Sequence, residues 1–526
     1  MTIRKNWFVY FSLAAFEICA VYALASDIQR MSAARAHPYL WCGGLLCALA
    51  LALGLVCAGA GIFGASSSRR HALRRKRRHG PAAERAVVAA VMLLSAALRI
   101  WTIAKLPITP SSDFQTYYQV AELLVKGGLS GSGYSGYIAE FPHVIGYPFV
   151  LSLLFRITGT SVRAGLYLNL AASLLGVFVT YRIARSLFGR LAGMTALFLE
   201  AFWPSQILYG TILGSESVFT CMLLICIWLF LYLYRYPVTL GNRESSMFLC
   251  VALGVSLALT NAVRPFATIL LIAAVLCIVP YTVQFNQNEK MLNGRLSRAS
   301  CQGWFLALVI SLSFVLCSQL ISVSISNAVA YKLPSGSVSF GYNLMDGVNV
   351  KAKGAWNQQD ADYFAHVFSS TNSAQAAQQA SRDVAFERIG GDPLGVLNLS
   401  VEKFTMLWGN DDYAATWTAL FLGQQGGLTP ERQAVIDRFT RLNDAFYLFA
   451  VFFSAVFGFS LFRQKNAQPA QGMILLFIGT VVLHMFLENQ NRYHYFVLPV
   501  FAIFASMAVA DLFQSAKERG GKVNAR

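Results

Sequence analysis

The sequence predicts an all-α polytopic membrane protein with about twelve transmembrane helices. Of its 526 residues, 56% are hydrophobic and only 13% are charged, and the mean hydropathy is +0.51. This composition is too apolar for a soluble protein and indicates many membrane spans. Long apolar segments recur along the chain, separated by polar or basic segments.

The apolar segments define the predicted spans. In chain order they lie at about 7–26, 39–64, 86–104, 163–183, 192–210, 215–235, 246–262, 266–284, 304–326, 443–463, 472–487 and 496–514. The first follows Arg4 and Lys5 and lacks a small-residue cleavage site, so we expect a retained signal anchor. Segment 144–158 is shorter than the roughly twenty residues of a crossing helix, so we expect it to lie in the interface or dip into it.

Basic residues set the predicted topology. They gather at Arg4 and Lys5, at 69–78, at Arg182, Arg185 and Arg190, at Arg235, at Lys290, Arg295 and Arg298, at Arg463 and Lys465, and from Lys517 onward. The positive-inside rule places all these segments, and both termini, in the cytoplasm. We expect the membrane to be a bacterial plasma membrane. The net charge of +17 therefore indicates attraction to anionic membrane lipids, and we expect no nucleic-acid partner.

The same topology places the loop at 106–162 on the outer face. Asp113 begins a short predicted helix that carries Tyr117 and stops at Gly127. Glu140 follows later in the loop, shortly before His143 and Tyr147. A long loop that is rich in tyrosine and poor in charge is more typical of a functional site than of a disordered linker.

The outer face also receives the turns at 210–216 and 488–495 and the largest polar segment, 327–440. In that segment we predict helices at 374–389 and 393–408, and a third beginning at Thr429 and Pro430. The turn-rich stretch 341–364 is either a ligand-contacting surface or a solvated loop. The predicted organisation is 1–80 (two N-terminal helices and a basic loop), 81–326 (the main transmembrane core with loop 106–162), 327–440 (an external membrane-apposed subdomain) and 441–526 (three C-terminal helices and a basic tail).

Several short motifs, taken in order, resemble those of the GT-C membrane glycosyltransferases. They are Asp113-x-x-x-Tyr117, Pro142-His143-x-x-Gly146-Tyr147-Pro148, Leu213-Gly214-Ser215-Glu216, Arg264-Pro265, and Arg492-Tyr493 with Pro499. The likeness is closest to the branch of protein O-mannosyltransferases and lipid A aminoarabinose transferases. It covers about 86–285 and the last two spans, and it implies a GT-C-like core with two additional N-terminal helices.

The resemblance implies an inverting transferase that uses a polyprenyl-phosphate-linked sugar, with a protein, lipid or cell-wall glycan as the acceptor. An acceptor hydroxyl needs a nearby carboxylate to take its proton, and the family assigns that role to the acid at Asp113. The leaving lipid phosphate needs cations or donors, for which Arg264, Arg492 and His494 are candidates. Further substrate-binding candidates are Tyr117, Glu140, His143, Tyr147 and Glu216. The aminoarabinose branch carries a lysine beside its second loop acid, whereas Phe141 follows Glu140 here.

Each candidate also has a structural interpretation. Asp113 would cap its helix, Glu140 would be a solvated loop acid, and Glu216 would lock two helices together. The arginines would snorkel toward lipid headgroups, and His494 would belong to an interfacial aromatic belt. We predict no cofactor and no required metal, because Asp113 and Glu140 would be the only nearby acids.

Two other functional classes fit a chain of this composition. A transporter or flippase for a lipid-linked or amphipathic substrate would place its charges near the bilayer midplane and would show repeated halves. This sequence shows no such repeat and places its acids in an external loop. A scaffold that holds an envelope assembly through its external segment is the third interpretation.

Overall fold

The computed structural model describes residues 7–34, 71–235, 243–279, 302–334, 340–464 and 470–523. Within these ranges the regular secondary structure is helical and no β-strand occurs, which confirms the all-α class. The predicted span at 39–64 and the basic residues of 290–298 lie outside the described residues, as do Arg4 and Lys5.

The helices follow one another with short connections. The first ten are α1 (Trp7–Ala34), α2 (His71–Lys105), α3 (Asp113–Lys126), α4 (Gly133–Glu140), α5 (Gly146–Thr158), α6 (Val162–Phe202), α7 (Pro204–Tyr209), α8 (Glu216–Arg235), α9 (Arg243–Val263) and α10 (Ala267–Val279). The next nine are α11 (Gln302–Val329), α12 (Gly341–Gly347), α13 (Gln358–Thr371), α14 (Ala374–Gly391), α15 (Pro393–Trp408), α16 (Tyr413–Gln424), α17 (Pro430–Gln464), α18 (Gln471–Phe486) and α19 (Leu498–Val523). Short 3₁₀ turns at Pro142–Ile145 and Asn491–Val497 precede α5 and α19.

Helices of spanning length make this an integral membrane protein, but the predicted count of twelve is not confirmed. Among the described residues, eight helices are long and apolar enough to cross a membrane, or nine if α4 and α5 form one bent span. The helices α10 and α18 cover two further predicted spans but are shorter. The helix α5 has only 13 residues, and the segment from Pro142 to its end meets α4 at 118°.

The predicted spans 163–183 and 192–210 differ from the observed helices. Both fall largely within α6, where Gly189 alone departs from helical geometry, with φ 83° and ψ −168°. Glycine adopts positive φ at little steric cost, so the chain bends here without a connecting loop. The helical path then ends at Phe202, and Pro204 begins the short helix α7.

The helix α19 lies at the centre of the bundle, packed against α6 and α17. Its most apolar window is 78% buried, the largest share among the eight candidate spans of the described residues. Ala502, Ala505 and Ala508 recur every three residues along it and are buried. Small side chains at this spacing let helices approach closely, which stabilises packing where lipid supplies no hydrophobic driving force.

The helices predicted within 327–440 are confirmed as α14, α15 and the start of α17. Asp392 caps α15 by accepting a hydrogen bond from the Gly395 amide at 2.8 Å. The stretch 341–364 is partly helical, because α12 and the first turns of α13 lie within it. Arg388 of α14 binds Asp360 of α13 through both guanidinium ends, at 2.7 and 2.8 Å, which ties these helices together.

Gly146 lets the loop at 106–162 contact α9 closely. A Cβ atom at this position would lie 1.9 Å from the carbonyl oxygen of Ala262. We therefore expect Gly146→Ala to lower the free energy of unfolding by about 1–3 kcal/mol, because backbone must move to admit the methyl group. Thermal unfolding in detergent measures the change. Gly133→Ala is the matched control, since nothing lies within 4 Å of its added Cβ; equal stability of the two variants would contradict the prediction.

Candidate active site

A cavity of about 990 Å³ lies where loop 106–162, α9, α11, segment 327–440 and the turn before α19 meet. Its lining comes from segments that are far apart in sequence. Six of the nine residues predicted from the sequence line it, namely Asp113, Tyr117, Glu140, His143, Arg264 and Arg492. The fold thus brings most of the predicted site together.

Asp113 is the first residue of α3, and its carboxylate contacts Arg492. The Arg492 Nη2 donates a hydrogen bond to Asp113 Oδ2 at 2.9 Å, and 42% of the Asp113 side chain is exposed in the cavity. Burial raises the pKa of Asp113, but Arg492, Arg264 and His143 together lower it by more, so the pKa lies below its ordinary value. The carboxylate is therefore ionised at neutral pH.

Arg492 belongs to the 3₁₀ turn that leads into α19. Its Cζ lies 5.7 Å from the ring centroid of Phe114, 5.8 Å from that of Tyr413 and 5.4 Å from that of Tyr493. Aromatic faces attract a guanidinium, so three rings and one carboxylate hold this cation in a defined orientation. The guanidinium of Arg492 thus forms part of the cavity wall.

Arg264 follows α9 and forms the second cation of the wall. Its Nη1 donates to Glu216 Oε1 at the start of α8, and its Cζ lies 5.6 Å from the ring centroid of Tyr493. The ring of Tyr493 is thus shared with Arg492. We call Arg264 and Arg492 the arginine pair. Two guanidiniums in one wall suit a phosphate, which they can bind with paired hydrogen bonds.

Tyr147, Glu216 and His494 lie behind the cavity wall. Tyr147 is buried, packs its ring 5.5 Å from that of Tyr117 and donates to Asn169 Oδ1 at 2.9 Å. His494 is 1% exposed, and its Nε2 lies 3.1 Å from Asp411 Oδ1. These positions indicate that the three side chains support the lining residues and do not contact a ligand directly. Tyr147 supports Tyr117, and Glu216 supports Arg264.

Glu140 and Glu488 are the acids of the cavity that form no ion pair among the described residues. Burial raises the pKa of Glu140, which ends α4, to about 7. Burial also raises the pKa of Glu488, in the turn between α18 and Arg492. Two acids that form no salt bridge in the described part of the chain therefore line the cavity together with the arginine pair.

Sequence reasoning missed several lining residues. They include Tyr137, Tyr413, Trp417 and Glu488, whereas the lining residue Trp356 lies in the stretch 341–364, for which a ligand-contacting surface is one of the two predictions. Glu488 could have been found, because it is an acid in the same predicted outer turn as Arg492. The aromatic residues carry no such signal, since membrane proteins place similar rings at every interface.

The lining also bears on metal binding. No group of three or more His, Cys, Asp or Glu side chains that could hold a metal ion occurs in the part of the chain that the structure describes. The absence of a metal requirement stays a prediction, and it is tested below.

Comparison with protein families gives one partial match. Residues 142–327 match the model of the dolichyl-phosphate-mannose-protein mannosyltransferase family. This range contains His143, Glu216 and Arg264 but neither Asp113 nor Arg492. No curated protein matches the sequence.

Among solved structures, the chain is similar to the oligosaccharyltransferase of Archaeoglobus fulgidus in the apo form. The identity is 14%, the match covers 83% of this chain and 52% of that one, and the TM-score is 0.45. The same archaeal protein, with an inhibitory peptide and a dolichol-phosphate, matches at 14% identity over 84% and 52% of the chains, with a TM-score of 0.44. This chain spans about half the length of that protein.

A third similar structure is ArnT from Cupriavidus metallidurans bound to undecaprenyl phosphate. The identity is 13%, the match covers 81% of this chain and 78% of that one, and the TM-score is 0.29. The resemblance predicted from the sequence is supported by the match of residues 142–327 to the dolichyl-phosphate-mannose-protein mannosyltransferase family.

Proposed function

We propose that this protein is an inverting glycosyltransferase that moves a sugar from a polyprenyl-phosphate donor to an acceptor hydroxyl on the outer face of the membrane. The observation that carries the proposal is the ionised Asp113 in contact with Arg492, in a cavity that also contains Arg264. The matching family is named for a dolichyl-phosphate sugar, which is a donor of this class. The distribution of basic segments supports the outer face.

The arginine pair would bind the donor phosphate, which stays attached to the lipid. The acceptor oxygen attacks the anomeric carbon as Asp113 takes its proton, because a neutral hydroxyl is a poor nucleophile. The bond between the anomeric carbon and the phosphate oxygen breaks, and polyprenyl phosphate leaves with the electron pair. The guanidiniums stabilise the charge that develops on that phosphate. Attack opposite the leaving group inverts the anomeric configuration.

Arg492 has two roles in this scheme. In the structure its charge lowers the basicity of Asp113. A phosphate that binds Arg492 would share that charge and leave the carboxylate more basic. Donor binding would therefore prepare Asp113 to accept a proton.

Purified protein in lipid bilayers, given a labelled polyprenyl-phosphate sugar and candidate acceptors, tests the proposal. Release of polyprenyl phosphate together with a glycosylated product is the expected result. Movement of intact donor across a vesicle membrane without release would favour the transporter instead. The acceptor class is open between protein, lipid and wall glycan, so each is assayed separately.

We expect transfer activity to persist in a chelator. Asp113 is held by Arg492 and Glu216 by Arg264, and the residues that the structure describes contain no group of three or more potential metal ligands. Assays after treatment with EDTA and dialysis measure the residual rate. Lost activity that magnesium or manganese restores would contradict the prediction and indicate a metal site.

A further inference from the structure

Glu488 lies in a turn that the external subdomain holds firmly. Its backbone amide donates to the carbonyl of Asn343 at 2.8 Å, and the amide of Asn489 donates to the carbonyl of Gly354 at 2.9 Å. These two hydrogen bonds join the turn to the segment that begins with α12. The position of Glu488 in the cavity is therefore set by backbone contacts on both sides.

Lys403 of α15 also holds this turn in position. Its ammonium is buried and donates to the carbonyls of Gly347 at 2.8 Å, Met485 at 3.2 Å and Leu487 at 2.7 Å. An ammonium has three donors, and all three are used here. Since Leu487 directly precedes Glu488, this contact limits movement of the acid.

The carboxylate of Glu488 has spare hydrogen-bonding capacity. Its Oε1 accepts from Gln490 Nε2 at 3.2 Å and its Oε2 accepts from Tyr493 Oη at 3.4 Å. Each carboxylate oxygen can accept more than one hydrogen bond, and Glu488 forms no salt bridge among the described residues, although the charge of Arg492 acts on it from a greater distance. A ligand with hydroxyl groups could fill these positions.

Tyr493 contacts both Glu488 and the arginine pair. The ring of Tyr493 lies beneath both guanidiniums, and its hydroxyl donates to the carboxylate. Glu488 thus lies at the edge of the wall that, under the proposed function, binds the donor phosphate. The sugar is joined directly to that phosphate, so its ring hydroxyls fall beside this edge.

We propose that Glu488 accepts hydrogen bonds from hydroxyl groups of the donor sugar and thereby determines which sugar the enzyme uses. This inference rests on the proposed function, because it needs a sugar attached to a phosphate at the arginine pair. A carboxylate is an acceptor only, so it favours sugars with hydroxyls at this edge and disfavours those that lack them. Sites built around such polar contacts discriminate strongly against analogues without the partner group.

The test compares Glu488→Gln with the unaltered protein on two ligands. We expect kcat/KM for the sugar donor to fall by roughly 10- to 150-fold, the range for a hydrogen bond to a charged group. Inhibition by bare polyprenyl phosphate should not weaken, because the arginine pair is intact and the carboxylate charge that the variant removes repels a phosphate. Glu402→Gln is the matched control, since Glu402 is exposed on α15 and lies outside the cavity lining.

Sugar donors that each lack one hydroxyl group supply a second measurement. With the unaltered protein, this measurement does not depend on whether the variant folds. The deoxy donor that lacks the recognised hydroxyl should lose a similar factor with the unaltered protein but little further with Glu488→Gln. Equal weakening of sugar donor and bare polyprenyl phosphate, or equal losses for all deoxy donors in both proteins, would overturn the inference. Unaltered protein that neither binds nor releases polyprenyl phosphate would overturn the proposed function and, with it, this inference.

Discussion

Replacing Asp113 by asparagine should lower the rate of sugar transfer by roughly 10²- to 10⁴-fold, the contribution typical of a general base. Asparagine keeps the shape of the side chain and can still accept a hydrogen bond from Arg492, but it cannot take a proton. The loss should therefore appear in kcat, whereas binding of polyprenyl phosphate should be retained. Single-turnover transfer from a labelled donor measures the first, and inhibition by the bare lipid phosphate measures the second.

Asp383→Asn is the control for Asp113→Asn, because Asp383 is 62% exposed on α14 and does not line the cavity. The pH profile gives an independent check. Because the pKa of Asp113 in the unliganded protein is below its ordinary value of about 3.9, kcat/KM should decline only as the pH falls toward that lowered value. The decline in kcat should lie at higher pH, because bound donor makes the carboxylate more basic. Full transfer activity of Asp113→Asn would exclude Asp113 as the general base.

Replacing Arg492 by lysine should weaken transfer by roughly 10²- to 10³-fold, as expected for one donor to a developing oxyanion. Lysine keeps the charge but lacks the planar fork that suits a phosphate and the faces of Phe114, Tyr413 and Tyr493. Both kcat/KM for the donor and the affinity for bare polyprenyl phosphate should fall. Equilibrium binding of a labelled lipid phosphate measures the affinity directly.

Arg441→Lys provides the matched control, since Arg441 is exposed on α17 outside the cavity lining. The double variant of Asp113 and Arg492 should lose less than the product of the single losses, because the two side chains are in contact. Unchanged lipid-phosphate affinity in Arg492→Lys would exclude this residue from phosphate binding. Strictly multiplicative losses would show that the contact with Asp113 has no part in transfer.

Local features of the sequence predicted the start and end of α3 correctly. Asp113 begins the helix and Gly127 ends it in the left-handed conformation, with φ 73°. Both are decided by nearest neighbours along the chain, which is why a single sequence suffices. The contact between Asp113 and Arg492 could not be predicted in this way, because 379 residues separate them and only the packing of α19 brings them together.

His494 illustrates a limit of sequence reasoning. A histidine beside Arg492 and between two tyrosines suggests a ligand contact, but a 3₁₀ turn points neighbouring side chains in different directions. Arg492 lines the cavity, whereas His494 reaches Asp411 and the carbonyl of Leu407. The direction of each side chain depends on turn geometry that composition does not reveal.

Lys403 shows a second limit. It follows the apolar stripe of α15 and would ordinarily be assigned to a solvated face, because lysine is rarely buried. Its burial depends on three carbonyls from α12 and from the end of α18, which no local pattern predicts. Hydropathy likewise marks apolar segments but detects neither the bend at Gly189 nor the shortness of α10 and α18.

The position of Tyr493 has a consequence for engineering. One phenol ring supports two cations and steadies an acid with its hydroxyl, so a substitution there would alter lipid affinity and sugar preference at once. Variants intended to accept an unnatural donor should therefore leave this tyrosine in place. Changes at Glu488 and Gln490 offer a way to adjust selectivity while anchoring of the carrier is preserved.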